Sequence, residues 1–521
     1  MQVFNKNQNI LLAQSYLLLF YSKIKILTNM KKSVYSFLVA IMLTTIGCTD
    51  LKEGIYGRQV ADEFYATEVG INAALANIYN EVRGDWNGKG IAGADRGWFD
   101  LNESCTDEMM IPTRSDGAWD DNGIWRLMYT HTWTGSQEFI NNTWTWLYRS
   151  VFKSNLSIEL LEGANANPAR IAEARVLRAY FYYMLMDGWG KVPFYTQNNV
   201  TVDQIPQTDR AEIFNFVVDE LKANVDLLPT TKGGEFYGRF NKWAGYALLA
   251  KIYLNAEVYT GTAKWADAIA ASDKIINEGG FSLVSTLYDN AGAQAVFGDR
   301  LSDSEVIMSV YVDGQSAPRN IIGIRSLHGP HGQALFGFGT WNGATAHQDF
   351  IDTYADADKR KKQWLLGSQP GGVTYTKNIS SLTNAGITEG ARNAKYLPVP
   401  PYDGGTSSND FPVFRYADVL LTKAEAVLRS GGSNATATAL VNQLRSRAGL
   451  GNLETVDLTE VYNERGRELC WEGHRRQDMI RFGTFTLARA FKAASDAKYK
   501  LFPIPKQAID ANPTLVQNPG Y

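Results

Sequence analysis

Asn241–Tyr259, NKWAGYALLAKIYLNAEVY, followed after a Gly-Thr turn by Lys264–Asn277, is the stretch that decides the fold. Alanines at 244, 247 and 250 recur three apart beside the large Trp243, Tyr246 and Tyr253. That spacing is helical, and small residues along one side let a second helix come close. A short turn between two such runs makes them neighbours in space. The segment therefore predicts a helical hairpin.

The same pattern extends both ways along the chain. Thr67–Arg83 (TEVGINAALANIYNEVR) puts Val69, Ala73, Ala76 and Tyr79 or Asn80 along one side, and Asn142–Glu162 does so with Trp146, Val151, Leu156 and Leu160. Pro168–Met186 (PARIAEARVLRAYFYYMLM) opens on proline and ends at Asp187-Gly188, as helix punctuation requires. Asp209–Leu228 is closed by Pro229, and Tyr416–Arg429 and Ala435–Arg447 flank Gly431-Gly432. These pairs are similar to tetratricopeptide hairpins, whose repeat is about 34 residues. Their intervals are irregular, so the expected fold class is mainly α, an interrupted helical-repeat scaffold with long insertions and a few short strands. The insertions fall near 84–141, 279–362 and 367–412, and are rich in Gly, Asn and aromatic residues. Loops of that length are functional or carry small strands of their own, and Ser304–Val312 alternates as a strand does.

Composition narrows the class of function. With 45% hydrophobic and 20% charged residues, the chain is neither disordered nor a polytopic membrane protein. Aromatics reach 12%, with 13 Trp and 26 Tyr, more than packing alone demands, which points to ligand contact. Residues 1–47 carry five lysines and no acid, leaving 46 basic against 54 acidic groups, a charge of −8, in the remainder. Nucleic acid is not an expected partner. Cys105 and Cys470 are expected to be separate buried thiols.

Met30-Lys31-Lys32, the apolar Val34–Thr45 and Gly47-Cys48 read as a signal peptide over 30–47. About twelve apolar residues are too few to span a bilayer. Residues 1–29, with their own apolar stretch Ile10–Tyr21, read as an over-extended start. The cysteine resembles the lipobox of bacterial lipoproteins, in which that thiol is acylated and becomes the mature N-terminus; Thr45 stands where those proteins usually have Leu. The expected mature chain is then a single domain over 48–521, opening on the tether Thr49–Glu53.

Searches for reaction chemistry yield little. There is no P-loop, HExxH or nucleophile elbow. His328 and His331 in LHGPHG lack a third ligand, and Asp349, Asp352, Asp356 and Asp358 lack the glycine and terminal glutamate of a calcium loop. Glu464, Glu468 and Glu472 stand four apart among Arg465, Arg467, Arg475, Arg476 and Arg481. This spacing lets carboxylates and guanidiniums pair, and so many arginines hold carboxylates ionised, which does not suit acid/base work. No catalytic residue, metal or cofactor is expected.

FRYADVLLTKAEAVLR (Phe414–Arg429), VNQLRSRAGL (Val441–Leu450), NERGRELCWEGHRRQDMIRFG (Asn463–Gly483) and LFPIPKQAIDANPTLVQNPGY (Leu501–Tyr521) occur in that order. ARVLRAYFYYMLMDGWGKVPF (Ala174–Phe194) and NKWAGYALLAKIYL (Asn241–Leu254) precede them. Together these segments resemble the SusD/RagB family of outer-membrane nutrient-binding lipoproteins, from Cys48 to Tyr521. The resemblance implies a SusD-like fold and a non-enzymatic protein, lipid-anchored on the outer membrane and facing the cell exterior. It implies capture of oligosaccharide or polysaccharide and delivery to a SusC-like TonB-dependent transporter. The RagB branch leaves peptide or another polymer as an alternative cargo, and a surface glycosidase is the alternative of a different class.

Sugars need flat aromatic platforms with a polar rim. Trp86, between Asp85 and Asn87 in a Gly-rich turn, is the first such platform expected, and Trp98 the second. Tyr288, Phe297, His328 and Trp341 with Asn342 are candidates in the second insertion, and Arg392, Tyr396 and Tyr402 in the third. The expected ligand-binding set is Trp86, Asp85, Asn87, Trp98, Trp341, Tyr288, Arg392 and Tyr402. Trp144, Trp146, Trp243 and Trp265 fall in helical runs and are expected in the core. Thr106–Trp125, with Asp116, Asp120 and Asp121, is polar and aromatic together, and pattern alone does not separate surface from scaffold there.

Overall fold

Several helices begin where side chains can take up their free backbone amides. Thr67 accepts from the Gly70 amide at 3.1 Å, Asn167 from Ala169 and Asn241 from Ala244, each at 2.9 Å, and Pro168 occupies the first turn of its helix. The computed structural model describes residues 63–84, 88–92, 95–285, 287, 296–313, 320–400 and 407–521. The expected signal peptide, Cys48 and the tether lie outside the described residues.

The main helices are Glu68–Arg83, Glu138–Gly163, Pro168–Trp189, Arg210–Asn224, Lys242–Leu254 and Trp265–Glu278, then Tyr416–Arg429, Asn434–Arg447 and Leu458–Leu469. Each packs on the next around a continuous core. The decisive contact crosses the longest insertion: Trp265–Glu278 packs directly on Tyr416–Arg429. The chain leaves the helical stack after 278 and rejoins it at 416. A two-stranded antiparallel ladder, Val306–Val310 with Phe411–Arg415, ties off the base of this excursion. All ten of its residues are buried. Asp62–Tyr521 makes one compact unit. Among the described residues no helix is long and apolar enough to cross a membrane.

Three local expectations are corrected. The stripe Val69, Ala73, Ala76 and Asn80 faces outward; Ile71, Leu75, Ile78 and Val82 are buried instead. Both stripes have helical spacing, and the one with more apolar area goes inside, at roughly 1.5–3 kcal/mol for each large side chain. The helix from Pro168 runs through Gly188 to Trp189 and stops at Gly190, whose φ is +72°. The run 241–259 is two helices, broken at Asn255.

Charge holds the C-terminal helices to the insertions. Arg415 binds Glu472 and Glu468 at 2.6 Å each and Glu305 at 3.0 Å. Arg360 binds Glu464, Asp358 and Glu468 at 2.7–3.0 Å. All of these groups are buried. Although burial alone would raise them, the arginines hold the carboxyls of Glu464, Glu468 and Glu472 below the usual carboxylate range. These glutamates are therefore charged struts between segments far apart in sequence. The four clustered aspartates separate into different pairs, Asp358 with Arg360, Asp356 with Lys361, Asp352 with Lys377 and Asp349 with His347. Cys105 and Cys470 are free and buried.

The final loop is clamped by Trp133 Nε1, which donates to the Tyr521 hydroxyl at 3.0 Å, and by Asn518 Nδ2, which donates to the carbonyls of Trp189 and Phe502.

Candidate functional site

All three insertions meet at one junction. Arg114, from the first, donates from Nε to the carbonyl of Asn342 at 3.0 Å and from NH2 to that of Gly343 at 2.9 Å. Its NH1 reaches the carbonyl of Glu389 at 2.8 Å. Arg392, from the third insertion, gives NH2 to Asn342 Oδ1 at 2.8 Å and to the Ile387 carbonyl at 3.0 Å. A small apolar cluster of Met110, Tyr129, Ile379, Leu382 and Ala385 joins the first and third insertions beside these bonds. Arg325 adds a further tie: NH1 binds Asp100 at 2.6 Å, and its carbonyl accepts from the amides of Gly343 and Ala344.

Two indoles stand on this frame. Trp119 Nε1 donates to the Trp341 carbonyl at 2.7 Å, and both rings are half-buried. Trp119 lies flat on Gly343, where a Cβ would fall 2.5 Å from its ring; glycine is required for that approach. Trp125, fully buried, braces Trp119 edge-on at 5.5 Å. Phe336 and Phe338, also half-buried, stack at 5.7 Å in the turn that leads to Trp341. Asp116 is exposed on the loop that carries Trp119, and Gln333 on the short helix Gly329–Phe336 that precedes Trp341.

The electrostatics of the junction are those of a frame. Burial pushes Arg114 down to about 10; burial and then the neighbouring Arg114 hold Arg392 well below the usual guanidinium range. Their donors all go to chain oxygens, so neither cation reaches out. Burial, Arg392 and Arg114 together lower His328, which leaves its ring neutral at pH 7. Its backbone amide donates to the Tyr375 hydroxyl at 2.9 Å, and His331 Nδ1 sits 3.1 Å from the same oxygen. Among the described residues no group of three metal-ligating side chains occurs.

The expected site residues fall into three sets. Trp341 is at the junction and half-buried. Trp98 is half-buried elsewhere, packed over Gly473, where a Cβ would fall 2.4 Å from its ring. Arg392 is corrected: it is fully buried and spent inside the chain, because a guanidinium placed among four carbonyls has no donor left for a ligand. Asn342, Phe297 and Tyr396 are corrected on the same ground. Asn342 holds Arg392 and the Ile387 carbonyl, Phe297 carries Lys395 over its ring at 4.4 Å, and Tyr396 stacks on Phe411 and donates to the Trp471 carbonyl. Asp85, Trp86, Asn87, Tyr288 and Tyr402 lie outside the described residues. Pattern reading missed Trp119. Its surroundings, Gly117-Ala118-Trp119-Asp120-Asp121, have the same glycine, aromatic and acid mixture that singled out Trp86.

The fold and this junction define a class: a helical-repeat protein that presents aromatic side chains on inserted loops. Residues 280–521 match the SusD family, and residues 91–254 match a family described as starch-binding and associating with the outer membrane. Over these two spans the chain is similar to the SusD/RagB family. It is 27% identical to the starch-binding protein SusD of Bacteroides thetaiotaomicron, over 84% of this chain and 87% of that one. Its fold matches a laminarin-binding SusD-like protein with a TM-score of 0.72 at 21% identity, over 87% of this chain and all of that one. Surface glycan-binding protein A of Bacteroides thetaiotaomicron, solved with laminarihexaose, matches at 0.70 and 20% identity, over 87% of this chain and 99% of that one. The mainly helical SusD-like fold with few short strands is thus shared.

Proposed function

We propose that this chain captures a neutral oligosaccharide or polysaccharide at the cell surface through Trp341 and Trp119 and does not convert it. The observation that carries this reading is the pairing of two half-exposed indoles from separate insertions on a rigid frame. A pyranose lays its C–H face on such rings and turns its hydroxyls to the rim. The starch-binding and laminarin-binding relatives favour the same ligand class.

The mature protein begins at an acylated Cys48 in this reading, with 30–47 removed and 48–521 working as one domain. It is held on the outer membrane, faces outward, and passes its glycan to a SusC-like TonB-dependent transporter. Isothermal titration against a panel of soluble polysaccharides tests the capture step. Saturable heat with at least one glycan, from a site that weakens about tenfold in Trp341→Ala, is expected; heat with peptides and with no glycan would sink the reading. Incorporation of a fatty-acid analogue, lost in Cys48→Ala, tests the anchor.

A further inference from the structure

A groove lies on the helical scaffold, away from the insertion junction. It has a volume of about 540 Å³ and runs between the Glu138–Gly163 helix, the segment after Val192–Pro193 and the short helix Lys506–Ala511. One wall is aromatic: Trp144 and Tyr148 lie 4.8 Å apart, and Tyr148 and Tyr195 lie parallel, 9° between planes and 6.4 Å between centres. Val202, Ile205 and Leu515 are among the apolar residues opposite.

Two features define the occupant. First, no charged side chain lines the groove, although charged residues make up 20% of the chain. Second, several of its polar atoms are unspent, although the Asn512 side chain is held by the Val202 carbonyl and by Thr514. The Tyr148 hydroxyl donates to the Pro193 carbonyl at 2.8 Å, but Trp144 Nε1, the Tyr195 hydroxyl and the side chains of Asn141 and Gln507 make no hydrogen bond to the described residues. A purely apolar occupant would strand the indole and phenol donors away from water, at a cost for each. A charged one would find no counter-charge. The geometry points to a second carbohydrate site, for one or two neutral pyranose units stacked on the Tyr148–Tyr195 wall with hydroxyls bonded to Trp144, Tyr195 and Gln507. A pocket of this size, mostly apolar with a few polar groups, suits such a ligand.

The site is independent of the insertion junction, so stoichiometry separates the two. The full mature chain is titrated with maltohexaose and with laminarihexaose to millimolar concentration. Two sites are expected with at least one of them. In Tyr195→Phe/Gln507→Ala one site weakens by about tenfold, in Ala508→Trp it is blocked, and Trp341→Ala leaves it intact. Gln507 is exposed and Tyr195→Phe removes a single oxygen, so the double variant keeps the fold. A single site that Trp341→Ala weakens and the groove variants leave unchanged would overturn this inference while sustaining the proposed function. Absence of heat with every glycan would overturn both.

Discussion

Trp119 Nε1 and the carbonyl of Trp341 are joined by a 2.7 Å hydrogen bond across 222 positions of sequence. The bond orients one indole by the backbone of the other, so the pair responds as a unit to changes in either loop. Trp341→Ala should lower glycan affinity about tenfold, the scale of one lost aromatic contact. The melting temperature should move by less than about 3 °C, since the ring is half-exposed. Titration calorimetry and differential scanning calorimetry check the two halves of this expectation.

Gly343→Ala addresses the same relationship from beneath. The new Cβ would meet the Trp119 ring at 2.5 Å, so the indole must swing away from Trp341. Affinity should fall about as far as in Trp341→Ala although no ligand-facing atom is removed. Retained wild-type affinity would mean that Trp119 takes no part in binding.

Arg415→Met should be among the most damaging single substitutions. It leaves Glu305, Glu468 and Glu472 with fewer counter-charges in a buried network. Removing one partner of a buried ion pair costs about 3–5 kcal/mol. Urea unfolding monitored by tryptophan fluorescence measures the loss.

Stability should also depend on pH through two opposed sets of groups. Burial raises Glu103 from 4.5 to about 7 and raises Glu108 well above its ordinary value. The folded chain keeps protons there that the unfolded chain releases, so this contribution is lost as pH rises from 4.5 through about 7. Glu103→Gln cannot ionise, and its stability relative to wild type should increase across that window. Burial lowers His474 from 6.5 to about 3 and His131 to about 2. The unfolded chain binds protons there first, so stability falls as pH drops below 6.5. Urea midpoints at pH 5, 6 and 7 for wild type and Glu103→Gln give the sign of each slope.

Much of the scaffold is legible in the sequence because its signals are local. Asn167-Pro168 starts a helix and the alanines at 244, 247 and 250 pack one, whatever the rest of the chain does. Even there, spacing left two possible faces for Glu68–Arg83, and only the core it meets selected Ile71 and Ile78 over Val69 and Ala76. The site was less legible. Arg392 and Trp119 both lie in glycine-rich loops, yet one is fully buried and the other half-exposed.

From residues alone came the helical stack, its interruptions, the charged struts around Glu468 and the resemblance to the SusD/RagB family. Each rests on periodicity, caps, charge spacing or motif order, which are written along the chain. Tertiary structure alone decided which loop residues hold and which face outward. That choice depends on bonds such as those from Arg114 to Asn342 and Glu389, 228 and 275 positions away. A guanidinium with carbonyls on every side becomes part of the frame, and an indole with one face on Gly343 keeps part of its ring in solvent.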